Sequence, residues 1–267
     1  MNLKDSTHTI RRGLWLAIML FWLALPGYAQ QQEAPKSVLF VGNSFTYFFN
    51  LPQVVASMAR TQDWKLVTRQ STVGGSNLEQ HWKEERGTKT RALIESQEWD
   101  YVVFNNHSLS SIDTPESFME YGKKFARLVK ERGAKPVFMM TWAYKSNPLM
   151  QAEVERMYLK LGEETGADVV PAGPLFAKAR TLRPDMELFF DDKHPSSNGT
   201  YLLGLAFYKY FSGAALGGIP KRLTTKDEDG EKLYLIFMHQ EDANFLQQLV
   251  ETHDFETEDL FETEHKK

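Results

Sequence analysis

An α/β fold, with a parallel sheet of about five strands covered by helices on both faces, is the architecture this sequence predicts. The first observation behind it is a set of short apolar runs, Val38–Val41, Tyr101–Phe104, Pro136–Thr141 and Ala167–Val170. Runs of this length without polar alternation suit strands buried on both faces. The second is that the intervening segments carry apolar residues at helical spacing, such as Phe118, Tyr121, Phe125, Leu128 and Val129. The third is the alternation itself: strand-like and helix-like segments follow one another along most of the chain, the pattern of a three-layer α/β/α sandwich.

Taken in order, Val38–Val41 is the first strand, and it stops at Gly42-Asn43-Ser44. Leu51–Thr61 follows as a helix, with Leu51, Val54, Val55, Met58 and Ala59 on one face and Pro52 in its first turn. Lys65–Arg69 reads as a second, more exposed strand, and it leads to Val73-Gly74-Gly75-Ser76. The paired glycines allow a close backbone approach, and their amides can face an anion; a plain turn accounts for them equally. Leu78–Glu85 and Thr88–Gln97 read as charged helices, Tyr101–Phe104 as the third strand, and Pro115 to about Gly133 as a helix. The fourth strand is Pro136–Thr141, followed by a helix over 148–165, a fifth strand over 167–170 and helices over 174–182 and 197–211. Beyond Pro220 the pattern weakens to a charged turn over 226–232, an apolar run over 233–238 and a helix over 241–251.

Composition narrows the function classes. The 267 residues carry a net charge of −4, with no basic excess to suggest a nucleic-acid partner. There is no cysteine, which excludes disulfides, thiolate metal sites and a cysteine nucleophile. No His/Asp/Glu group has metal-ligand spacing, and no motif calls for a cofactor.

The N-terminus has the anatomy of a secretory signal: Lys4, Arg11 and Arg12, then the apolar Leu14–Leu25, then small residues before Gln30. Cleavage there removes those three cations and Asp5 and takes the charge to −6. The apolar run is short of the roughly 20 residues of a membrane span, so the expectation is an exported protein, periplasmic or secreted, without stable membrane insertion after cleavage. The resulting organisation is a signal over residues 1–29, a tether over 30–36, a domain over 37–250 and an acidic tail over 251–267. Oligomeric state is not legible.

A serine on a tight turn at the carboxyl end of a buried first strand is where an open α/β sheet presents a nucleophile, although turn and cap chemistry explains the same residues. His194 has the most informative setting of the seven histidines, three residues after Asp191 and just before Pro195. A carboxylate beside a histidine holds its tautomer while the other ring nitrogen takes a serine proton. His81 and His107 read as polar residues on loops or helix starts, with substrate contact as the other reading, and His239 and His253 as surface positions.

With these residues in place, the sequence resembles the SGNH (GDSL-type) hydrolases, and most closely the exported branch whose first block reads Gly-Asn-Ser-Phe-Thr, as Gly42–Thr46 does. The resemblance spans about Val38 to Phe211. It implies a flavodoxin-like fold and makes Ser44 the nucleophile, His194 the base and Asp191 its orienter, with Asp192 as competitor. It also implies an oxyanion hole from the Ser44 N–H, the Gly75 N–H and an asparagine side chain. The third block departs from the family pattern: Phe104-Asn105-Asn106-His107 has no glycine, so Asn105 is the expected donor and Asn106 its competitor. Trp142, Tyr144 and Trp82 are candidate aromatic platforms for substrate, with core packing as the alternative.

These readings lead to an exported serine esterase acting on small acyl groups, acetyl on carbohydrate among them. A lipase- or lysophospholipase-like hydrolase and a non-catalytic glycan-binding module on a hydrolase fold are the alternatives. The expected partner is a small-molecule or glycan ester.

Overall fold

The computed structural model describes residues 34–253. The expected signal and all but the last residues of the tether lie outside the described residues, as does the acidic tail from residue 254. Five parallel strands run in the order β2-β1-β3-β4-β5: β1 Lys36–Gly42, β2 Leu66–Thr72, β3 Tyr101–Phe104, β4 Lys135–Met139 and β5 Asp168–Val170. This is the flavodoxin-like order, whose direction of winding reverses between β1 and β3.

Side chains along a strand alternate between the two faces of a sheet, and β1 shows the consequence. Val38 and Phe40 enter one apolar cluster, shared with Leu51, Val54 and Phe207. Leu39 and Val41 enter a second, shared with Phe125, Val129 and Leu161. The buried stretches of the central strands, such as Val38–Val41, are therefore apolar on both faces, whereas the edge strand β2 exposes Val67, Arg69 and Gln70.

The helices are α1 Ser44–Tyr47, α2 Leu51–Thr61, α3 Leu78–Trp82, α4 Thr90–Glu95, α5 Ser110–Asp113, α6 Pro115–Glu131, α7 Gln151–Thr165, α8 Ala172–Leu182, α9 Ser197–Ser212 and α10 Gln240–Glu251. Those drawn into the first cluster include α2, α8, α9 and α10, and those in the second include α6 and α7. Helix α9 packs closely on α2, because a Cβ at Gly204 would lie 2.7 Å from the Val54 side chain.

Three expectations are corrected. The helices read over 78–85 and 88–97 shrink to α3 and α4, because Glu84 and Arg86 adopt positive φ (both +56°) in the turn between them. The strand after Lys65 runs on to Thr72, since every residue from Leu66 to Thr72 pairs with β1. Beyond Pro220 the chain forms an antiparallel hairpin, β6 Arg222–Lys226 with β7 Lys232–Phe237. Its only deeply buried apolar side chains are Leu223 and Ile236, while Leu233, Tyr234 and Phe237 of the apolar run are exposed. Among the described residues, no helix is long and apolar enough to cross a membrane.

Candidate active site

The site lies at the carboxyl ends of β1 and β3, beside the topological reversal where open α/β sheets bind ligands. Gly42 ends β1, and a Cβ there would sit 1.8 Å from Asn105 Oδ1, so the close approach of the β3 exit demands glycine. Asn43 then caps α1, its side chain accepting from the Phe45 N–H at 3.1 Å. The same side chain donates to the carbonyls of Ser76 (2.9 Å) and Asn106 (3.1 Å), tying together the loops that follow β1, β2 and β3. Ser44 emerges on this clamped turn.

His194 Nε2 lies 2.9 Å from Ser44 Oγ, and His194 Nδ1 lies 2.7 Å from Asp191 Oδ2. Residues 150 positions apart thus form one hydrogen-bonded line. Asp191 Oδ1 also accepts the N–H groups of Lys193 and His194, each at 2.8 Å. Burial pushes the Asp191 carboxyl up, but these N–H groups and the imidazole outweigh it and bring its pKa down to about 2. Asp192 faces elsewhere: its carboxylate accepts from the N–H and hydroxyl of Ser146, both at 2.8 Å.

The imidazole of His194 is held by rings. Phe48 stacks on it with centroids 4.3 Å apart, and Phe45 meets it edge-on at 5.8 Å. Beneath, Trp142 is sandwiched between Phe45 and Phe176, and its indole N–H donates to the Lys193 carbonyl at 2.8 Å. Trp142 is fully buried, so its expected place on a substrate platform is corrected to support of the loop that carries His194. Tyr144 is half-buried and bonds Ser108 through its hydroxyl (2.7 Å), and Trp82 packs edge-on against Phe125 at 5.1 Å. The aromatic side chains at the cleft are instead Phe45, Tyr47 and Phe48, and Phe48 contacts the exposed Phe190.

Ser44 and His194 open onto a cleft of about 320 Å³, which Gly74, Gly75, His107 and Ser108 also line. Gly75 has φ +66°, a left-handed conformation that suits glycine. The N–H groups of Ser44 and Gly75 make no hydrogen bond within the described residues. The expected asparagine donor is not found there. Asn105 is buried, with both amide hydrogens engaged by Asn43 Oδ1 and the Asn106 carbonyl at 3.0 Å. Its carbonyl oxygen accepts from Thr46 Oγ1 at 2.5 Å. Asn106 Oδ1 accepts from the N–H groups of Leu78 (3.0 Å) and His107 (2.8 Å). Neither asparagine lines the cleft. Both serve the knot beneath the turn, because a buried amide lying against backbone N–H and C=O groups satisfies them in place of water.

His81, expected as a polar residue on a loop or helix start, lies in the short helix α3 and is fully buried. Its Nε2 is 2.9 Å from the Gly42 carbonyl and 2.9 Å from Ser76 Oγ, and its Nδ1 is 2.6 Å from Thr90 Oγ1. Burial lowers its pKa to about 4, with the Gly42 hydrogen bond opposing and Arg86 adding to the fall. The neutral ring therefore braces the end of β1 against the glycine loop. His239 is exposed, as expected.

Fold and geometry together define a class: a flavodoxin-like α/β sandwich that carries a hydroxyl–imidazole–carboxylate line at the carboxyl edge of its sheet. No protein-family model and no curated relative matches this chain in sequence. Solved structures match in fold. A protein from Bacteroides uniformis, assigned to the DUF4886 family, superposes with a TM-score of 0.66 at 17% identity, over 82% of this chain and 94% of its own. A candidate SGNH hydrolase from Slackia heliotrinireducens matches with a TM-score of 0.58 at 21% identity, over 67% of this chain and 100% of its own. An acetyl-xylooligosaccharide esterase from Geobacillus matches with a TM-score of 0.53 at 15% identity, over 68% and 97%. The five-stranded parallel sheet and its helical layers are thus the fold of SGNH hydrolases.

Proposed function

We propose that this chain is an exported serine ester hydrolase of the SGNH (GDSL-type) family, removing small acyl groups, acetyl on carbohydrate foremost, by a Ser44–His194–Asp191 mechanism. The observation that carries the reading is the line from Ser44 Oγ through His194 to Asp191, at 2.9 and 2.7 Å, opening onto a cleft beside two backbone N–H groups that have no partner among the described residues.

In this mechanism Ser44 Oγ attacks the ester carbonyl carbon as its proton passes to His194 Nε2, and the carbonyl π electrons move onto oxygen. Asp191 holds the Nδ1 proton and stabilises the imidazolium without taking that proton. Collapse of the tetrahedral intermediate reforms the carbonyl and expels the alcohol, which leaves with the proton from His194. Water repeats the sequence on the acyl-enzyme and releases the acid. The N–H groups of Ser44 and Gly75 face the charge that develops on the carbonyl oxygen.

The substrate class rests on three supports. A cleft of about 320 Å³ suits a short acyl group. The exposed rings of Tyr47 and Phe190 beside it offer flat apolar faces of the kind that sugar rings stack on. Similar structures include acetyl xylan and acetyl-xylooligosaccharide esterases. A second reading, a glycan-binding module without catalysis, draws on the engagement of Asn105 in structural bonds.

A fluorophosphonate probe separates the two. A hydrolase labels at Ser44, and Ser44→Ala loses both the label and p-nitrophenyl acetate hydrolysis, while its melting temperature stays within a few degrees of the parent. A protein that binds acetylated xylan and never labels is the module.

A further inference from the structure

The loop leaving β3 brings a different side chain to the cleft from the one the sequence pointed to. Asn105 and Asn106 turn inward to the knot under the Ser44 turn, and the next residue, His107, lines the cleft with Ser44, Gly75 and His194. Its main chain is fixed by an N–H bond to Asn106 Oδ1 at 2.8 Å. Its ring is fixed by the Leu109 N–H, which donates to Nδ1 at 3.4 Å. A ring nitrogen that accepts a hydrogen bond has no proton of its own, so the neutral imidazole carries its hydrogen on Nε2. Among the described residues, no partner takes that hydrogen. His107 is not a second base for Ser44, because Ser44 Oγ is bonded to His194.

Given the hydrolase reading above, on which this inference rests, we propose that His107 is a catalytic residue: its Nε2–H is the side-chain donor of the oxyanion hole. It completes the set begun by the N–H groups of Ser44 and Gly75. No proton is transferred in this role. The hydrogen bond strengthens as the carbonyl oxygen gains charge and relaxes when the carbonyl reforms, which is how fixed donors favour the transition state over the bound ester. The surroundings favour the neutral ring: burial lowers its pKa, the Lys193 cation lowers it further, and Asp113 opposes them. A neutral donor leaves the proton balance at His194 undisturbed.

The two ring nitrogens have different partners, and this permits a test. Glutamine places its amide nitrogen near the position of Nε2, and asparagine places its amide near Nδ1. The experiment compares His107→Ala, His107→Asn and His107→Gln in p-nitrophenyl acetate hydrolysis, with thermal melting and fluorophosphonate labelling of each. Removal of one oxyanion donor costs roughly 10²–10³ in kcat. His107→Ala and His107→Asn are expected to show that loss with KM within about threefold of the parent, since the bond belongs to the transition state. His107→Gln is expected to recover kcat to within about tenfold of the parent.

Recovery by asparagine and not by glutamine would assign His107 the loop-holding role of Nδ1 and overturn the proposal. Full kcat in His107→Ala would overturn it too, while Ser44 labelling kept the hydrolase reading intact. Absence of labelling in the parent protein would remove both. Should His107→Ala melt early, the contrast between the glutamine and asparagine variants decides alone.

Discussion

Asp191→Asn tests the catalytic line at its most informative atom. Asp191 Oδ1 accepts two backbone N–H bonds at 2.8 Å, from Lys193 and His194, and asparagine keeps that oxygen, so the loop retains its shape. The atom facing His194 Nδ1 at 2.7 Å changes from an acceptor to an NH₂ donor. The imidazole must then present a bare Nδ1 and place its proton on Nε2, pointing at Ser44 Oγ, where a base is needed. A wrong tautomer of this kind costs on the order of 10⁴ in kcat, or about 5.5 kcal/mol of transition-state stabilisation. The Asp191 side chain is 46% exposed, so water can partly replace it, and the expected loss falls to about 10³. Asp192→Asn disturbs the bonds to Ser146 and leaves the imidazole alone, so a loss below about fivefold is expected. Initial rates on p-nitrophenyl acetate across a pH series, with melting curves for both variants, provide the comparison. An Asp191→Asn enzyme within tenfold of the parent, or a larger loss in Asp192→Asn, would refute the assignment of the orienter.

Two further predictions concern the scaffold. His81 has a folded pKa of about 4 against an unfolded value near 6.5, so the unfolded chain binds the extra proton between those values. Stability is therefore full above pH 6.5, falls by roughly 3 kcal/mol as the pH drops to 4, and levels off below that. Urea titrations at several pH values should show this slope in the parent and a flatter one in His81→Gln; equal slopes would discount the buried imidazole. Gly42→Ala drives a methyl against Asn105 Oδ1, which a new Cβ would approach to 1.8 Å, and it displaces that side chain from Thr46 and Asn43. Overpacking together with broken buried hydrogen bonds predicts a loss of about 3 kcal/mol by urea unfolding. A loss under 1 kcal/mol would mean that the knot yields freely.

The parts of this protein written in local pattern were legible without coordinates. An apolar run such as Val38–Val41 has no polar face to leave in water, so it predicts a strand buried on both sides. The alternation with amphipathic helices then leaves few architectures open. Asp191, His194 and Pro195 lie close in the chain, and their chemistry is local, so the pairing of Asp191 with His194 could be anticipated together with Ser44 as its distant complement. The hairpin β6–β7 was legible only as an apolar run over 233–238, because β6 (Arg222–Lys226) carries a single apolar residue, Leu223, and offers that run no visible partner.

What only the tertiary structure decided is where each side chain after β3 points. Sequence order made Asn105 the natural donor, yet the side chain of Asn43 and the hydroxyl of Thr46 approach from other elements and take up its amide, leaving the cleft to His107. The same holds for Trp142 and His81, whose polar atoms look free in sequence and are bonded to Lys193 and Gly42 in space. A buried polar group turns toward whatever partner satisfies it, and that partner is supplied by segments tens to hundreds of residues away. Periodicity reports which face of an element is apolar. It carries no information about which neighbour will meet a single polar side chain, so the fold was readable from the chain and the membership of the cleft was not.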